Sequence, residues 1–289
     1  MVYDILVAPF VEYEFMRRAF AGTLALALGA GPVGVFLMLR RMSLMGDAMA
    51  HAILPGAALG FMVAGLNLFA MTAGGLIAGL AVALLAGLLA RVTELKEDAA
   101  LAAFFLISLA VGVAIVSARG TNIDLLHFLF GNVLGLDDAT LVLMAAIATV
   151  SLAALALIWR PLVIECVDPG FLRSVSRAGG PVHIGFLALV VMNLVAGFQA
   201  LGTLLAVGLM MLPAVAARFW ARDITAMVLL AAAGGIVAGY AGLLISFHGG
   251  IAAGPAIVLV AGVVYGVSVL FGRAGGLVRL LYPGRHLEA

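Results

Sequence analysis

The chain has 289 residues, of which 65% are hydrophobic and 10% charged, with a formal net charge of +1 and a mean hydropathy of +1.27. Soluble domains are roughly half apolar, so water is excluded as the main solvent; long unalternating apolar runs exclude a β-barrel and leave an all-α membrane bundle. Scattered basic residues give no footprint for nucleic acid, and the single Cys166 excludes an internal disulfide framework or a Cys-rich metal cage.

Residues 1–16 carry Asp4, Glu12 and Glu14 and no basic residue, which predicts a short amphipathic lead-in at the membrane interface rather than a signal peptide. Charges and turn residues then mark apolar spans near 17–39, 44–65, 68–90, 99–117 and 139–158, a long stretch at 183–216, and spans near 224–246 and 251–272. A helix needs about 20 apolar residues to cross the ~30 Å hydrocarbon core, and each span comes near that length.

The stretch 183–216 is too long for one upright span and just long enough for two short ones turning near Gln199, Ala200 and Gly202. A hairpin there puts twelve of the fifteen Lys and Arg on one side, with only Arg17, Arg18 and Arg119 opposite. A single span splits them seven against eight. Cytoplasmic loops are the basic ones, so the hairpin is favoured. The expectation is about nine transmembrane segments, eight if 183–216 is counted as one, in a single domain over 1–289, with the N-terminus outside, the C-terminus in the cytoplasm and hairpin halves that need not each cross fully. Small-residue pairs such as Gly75 with Gly79 and Gly235 with Gly239 fit close helix packing in lipid.

Of fourteen acidic residues, only Asp47 falls inside an expected span. A carboxylate within the bilayer costs at least ~2.5 kcal/mol, so such residues face cavities and mark pathways. His51 follows four positions later on the same helical face, so carboxylate and imidazole can point at one ion. Counting from Arg41 at ~1.5 Å per residue puts Asp47 about 9 Å and His51 about 15 Å into the membrane. Pro55 then removes the amide that would bond the carbonyl of His51, so the span is locally broken beside the pair. Oxygen with imidazole nitrogen suits zinc, manganese or ferrous iron better than cuprous ion. The same two residues also fit a structural role, bonded to each other or to a neighbouring helix.

On the expected outer side, Asp124 and His127 lie one helical turn apart and are weaker candidates for a metal gate; His248 lies in an outer turn, and His183 and His286 fall on the cytoplasmic side and look ordinary. The loop 159–182 is the longest internal one and predicts a short helix of its own: Asp168 caps it, Pro169 opens it, and Gly179 or Gly180 ends it. Phe171, Leu172 and Val175 form its apolar face, fit for a partner's groove or for lipid. No phosphate-binding G-x-x-x-x-G-K-[ST] run occurs, so ATP-driven transport would need another chain to hydrolyse the ATP.

The run Leu39-Arg-Arg-Met-Ser-Leu-Met-Gly-Asp47-Ala-Met-Ala-His51-Ala-Ile-Leu-Pro55-Gly-Ala-Ala-Leu-Gly60 closely resembles the signature of the zinc and manganese ABC importer permeases, the ABC-3 family. Leu129-Phe-Gly-Asn132, Gly202 to Arg218 with its Met211-Leu-Pro-Ala-Val-Ala-Ala-Arg218, and Ala253-Gly-Pro-Ala-Ile-Val258 are similar to it too, in order along nearly the whole chain. The resemblance implies a type II importer fold in the bacterial inner membrane, working as a homodimer by alternating access. It further implies two cytoplasmic ATPase subunits and an extracytoplasmic metal-binding protein, and a transported zinc or manganese ion rather than a resident cofactor. It makes Asp47 and His51 the metal-pathway pair and the Asp168 to Gly179 segment the coupling helix, although Phe171-Leu-Arg-Ser-Val-Ser departs from the alanine-rich family pattern there. Rival readings are a secondary carrier and a permease for a metal chelate. An intramembrane protease is poorly supported, because H-E-x-x-H and G-x-S-x-G are absent and Asp47 has no second carboxylate in the spans.

Overall fold

Hydrophobic runs separated by capping residues and glycines fold here into helices and, among the described residues, no strand. The computed structural model describes residues 2–65, 67–95, 97–118, 133–176 and 179–281. In chain order the helices are α1 (Val2–Leu6), α2 (Ala8–Glu12), α3 (Glu14–Leu39), α4 (Met45–Ala52), α5 (Leu54–Ala64), α6 (Leu68–Val92) and α7 (Glu97–Ala118). After a 3-10 turn at Val133–Gly135 come α8 (Asp138–Val167), α9 (Pro169–Val175), α10 (Gly179–Leu201), α11 (Thr203–Arg218), α12 (Ile224–Gly249), α13 (Ala253–Phe271) and α14 (Leu277–Leu281).

Seven stretches of the described chain are long and apolar enough to cross a membrane: α3, the α4–α5 pair, α6, α8, α10, α12 and α13. Two shorter apolar helices, within α7 and at α11, complete the set expected from the sequence. Side-chain caps start several of them: Asn67 Oδ1 accepts from the amides of Phe69 and Ala70, and Asp223 from that of Ala226. At the end of α3, Arg41 takes a left-handed conformation (φ 59°) and the Met42 amide closes back on the Leu37 carbonyl, which turns the chain sharply into α4.

The stretch 183–216 breaks where the sequence places the turn. Gly202 has φ 87° and ψ 161°, a backbone region open essentially to glycine alone. Across the turn, a Cβ built on Gly197 would lie 2.6 Å from the Ala206 Cβ, so α10 and α11 fold back against each other. Gly197 also abuts Leu26 of α3. At ~1.5 Å per residue Leu26 lies about 18 Å along α3 from its start, and Gly202 lies about 7.5 Å beyond Gly197, so the turn stops roughly 10 Å short of the start of α3.

The buried centre is α3 with α10 and α11, where Met16, Phe36, Leu37, Phe186, Leu194 and Leu201 are sealed from solvent. Phe36 meets the ring of Trp159 edge-on at 5.3 Å, tying α3 to α8. Asn193 Nδ2 donates to Ser151 Oγ at 2.8 Å and ties α10 to α8, which pairs both buried polar groups. The lead-in is docked: Phe10 stacks on Tyr240 at 5.0 Å, and the Tyr240 hydroxyl donates to the Leu6 carbonyl at 2.8 Å.

Two boundaries differ from the sequence reading. The span expected to stop at 158 continues as helix through Arg160 and Pro161 to Val167, because Leu162 and Glu165 beyond the proline are buried against the bundle. Packing there outweighs one lost helical hydrogen bond. The short helix ends at Val175 with Ser176, and Gly179 opens α10 instead of closing α9.

Candidate metal site

Asp47 occupies the first turn of α4 and His51 the last. Their neighbours Met49, Ala50, Ala52 and Ile53 are buried, so the opposite stripe of the helix anchors α4 in the bundle and leaves the Asp47 face outward. Ile53 fits the notch made by Gly75 and Gly79 on α6, which puts one of the small-residue pairs seen in the sequence directly behind the site.

The helical hydrogen-bond ladder is interrupted just past His51, where α4 gives way to α5 and Pro55 supplies no amide, although Ile53 at the junction keeps helical dihedrals. The Ala52 carbonyl at this break accepts from Ser108 Oγ of α7 at 3.0 Å, and Gly112 of α7 admits Leu54 and Pro55 at contact distance. α7 thus covers the break with a hydroxyl and a gap, which fixes the site without sealing it.

His51 Nε2 and Asp47 Oδ1 stand 3.8 Å apart, with the His51 side chain 25% exposed and that of Asp47 66%. Two donors each about 2.1 Å from a zinc-sized ion can be up to about 4.2 Å apart, so this spacing admits one ion between them. His51 Nδ1 is buried and without a hydrogen-bond partner, and the ring lies 5.9 Å from that of Phe105. Among the described residues no third His, Cys, Asp or Glu joins the pair. Two donors alone would hold an ion only loosely, and an open carboxylate on an apolar helix calls for a further surface to cover it.

Asp124 and His127 lie outside the described residues. His248 Nε2 meets the Ile5 carbonyl at 3.0 Å and serves to dock the lead-in. At the other end of the bundle, Asp168 caps α9 by accepting from the Phe171 amide at 2.9 Å. The backbone of Pro169 and Val175 bounds this helix; Leu172 is buried against the bundle while Phe171 projects into the open, so the two do not share one face.

The sequence reading missed a cluster at the α9 end. Arg40 Nη2 donates to Glu165 Oε1 at 3.3 Å and to His183 Nδ1, and His183 Nδ1 lies 3.7 Å from the same Glu165 oxygen. Their side chains are only 10%, 7% and 12% exposed, so His183 is not the ordinary residue expected from the sequence and Glu165, inside α8, is not in a loop. The Arg40 guanidinium also lies over the Phe186 ring, 5.1 Å from its centre. No local spacing announces this cluster, because Arg40 is 125 residues from Glu165 and 143 from His183.

Comparison with known proteins agrees with this architecture. The family model described as the ABC 3 transport family matches residues 12–272. The chain is 33% identical over 257 residues to the manganese import system permease protein ScaB of Streptococcus parasanguinis, covering 89% of this chain and 90% of that one. It is 30% identical over 271 residues to the chelated iron transport system membrane protein YfeD of Yersinia pestis, covering 94% and 90%. Its fold superposes on a chain of the solved structure of PsaBC from Streptococcus pneumoniae in complex with Fab with a TM-score of 0.85, at 28% identity, over 97% of this chain and 100% of that one. The protein is therefore a multi-pass membrane permease belonging to the ABC 3 transport family.

Proposed function

We propose that this permease carries a divalent transition metal ion, manganese first and zinc second, into the cytoplasm as the membrane subunit of an ATP-driven importer. The observation that carries this reading is the Asp47–His51 pair, 3.8 Å apart on a membrane helix with the carboxylate left open by its own chain. Charge in lipid is retained only where it serves a pathway, and an oxygen–nitrogen donor pair favours a borderline or hard cation over a soft one. The names of the relatives, which speak of manganese and of chelated iron, support a metal as cargo.

In this reading a second copy of the chain covers the Asp47 face, so that two pairs line a passage on the dimer axis. The α9 end faces the cytoplasm, as the basic-residue count favours, and the exposed Phe171 enters a groove on a separate ATPase subunit. A metal-binding protein delivers the ion to the opposite face. Closure of the ATPase pair then swings the passage from one side to the other.

The test is metal accumulation in cells with and without this permease, with manganese, zinc and ferrous iron each supplied alone. Manganese uptake that depends on both the permease and an intact ATPase subunit is expected; accumulation unaffected by loss of the permease overturns the reading.

A further inference from the structure

We propose that Arg40 and Glu165 are positioning residues that join the ATPase-facing segment to the helix bearing the metal pair. This deepens the function proposed above and rests on it. Glu165 lies three residues before Asp168, the cap of α9, and α9 packs mainly against α8. Arg40 caps the end of α3, and the chain from there to Asp47 is one tight turn set by Arg41 (φ 59°) and the first residues of α4. The ion pair is therefore a short bridge between the base of α9 and the base of α4.

His183 gives the bridge a third support. It stands near the start of α10, the helix whose Val191 and Val195 face Gly79 and Gly75, the same notch that holds Ile53 beside His51. A displacement of α9 thus reaches the metal helix through Arg40 from one side and through α10 from the other.

Stability alone does not account for the cluster. A buried ion pair contributes little net stabilisation compared with apolar residues of similar volume, because removing both charges from water offsets their attraction. Phe36, Trp159 and Phe186 already pack α3, α8 and α10 together at this level. Arg40 Nη1 and Glu165 Oε2 are moreover buried without hydrogen-bond partners. A spare donor and a spare acceptor let the pair re-form in a second arrangement when α8 shifts against α3, which is what a two-state joint requires.

The experiment uses the permease reconstituted with its ATPase subunit and delivery protein in liposomes, and reads manganese ions imported per ATP hydrolysed. Arg40→Met and Glu165→Met singly lower thermal stability, since each leaves a lone buried charge, and the double variant recovers it. The double variant is expected to keep its ATPase subunit but import fewer ions per ATP by between about twofold and about thirtyfold. A second arm holds Arg40→Cys and Glu165→Cys together in a Cys166→Ala background: bridging them with a bifunctional thiosulfonate reagent is expected to restore the ratio. A double variant that imports at the parental ratio, or a bridge that leaves the ratio low, overturns the joint. Uptake by the parental chain that ignores ATP overturns instead the function on which it rests.

Discussion

A Cβ built on Gly56 would lie 2.0 Å from the carbonyl oxygen of Gly74, and one built on Gly74 would lie 2.2 Å from that of Gly56. α5 and α6 thus touch backbone to backbone just beyond the break at Pro55, in lipid where only close packing and polar contacts drive helices together. Either Gly56→Ala or Gly74→Ala forces the two helices apart. The expected cost is about 1–3 kcal/mol, the usual range for overpacking. Thermal unfolding in detergent measures it, with Gly262→Ala, whose Cβ meets no atom within 4 Å, as the control whose melting temperature equals or exceeds that of the parent.

The bundle was legible because its causes are local. Apolar length sets each helix, Gly202 sets the hairpin turn, and the four-residue spacing of Asp47 and His51 puts both on one face before any tertiary contact is known. Glu165 was not legible for the opposite reason: Arg160 and Pro161 are the ordinary marks of a helix end, and only partners on α3 and α10 reveal why the helix continues past them. The depth of the α10–α11 turn was likewise open in the sequence, since composition fixes the total length of the hairpin but not where its two halves lie against α3.

Stability and transport should separate at the metal pair. Asp47→Ala removes a carboxylate whose presence in lipid is costly, so its melting temperature is expected to equal or exceed that of the parent chain. Manganese uptake by Asp47→Ala or His51→Ala is expected to fall at least about tenfold, on the scale that follows weakening of a metal's ligand set. Asp47→Asn keeps size and hydrogen bonding but not charge, and should fall with them. Uptake at the parental rate in all three, measured with radioactive manganese, counts against the pair as ligands.

A pH dependence is expected at the start of α8. Asp137 caps that helix: its Oδ1 accepts from the Thr140 amide at 2.9 Å, and bonds from the Thr140 side chain and amide hold its carboxyl below the usual value. A depressed carboxyl contributes stability that is complete above its unfolded pKa, near 3.9, and is lost as pH falls through the lower folded value. Asp137→Asn retains an acceptor without titrating, so the stability difference between the two proteins should shrink and change sign in favour of Asn as pH drops below about 4. Chemical unfolding at a series of pH values reads this directly; a constant difference across the series counts against the cap.

Gly202 offers the sharpest test of the hairpin. Its φ of 87° and ψ of 161° lie in a region that a Cβ makes costly, and the Gly202 amide still bonds the Phe198 carbonyl at 3.2 Å while its own carbonyl starts α11 by accepting from Ala206. Gly202→Ala therefore strains the turn by about 1–3 kcal/mol without removing a contact. Were 183–216 one continuous helix, the same substitution would stabilise it, since alanine is the better helix former by about 1 kcal/mol. The two architectures thus predict opposite signs for one substitution, and unfolding of the detergent-solubilised protein distinguishes them: a lowered melting temperature belongs to the hairpin, a raised one to the single helix.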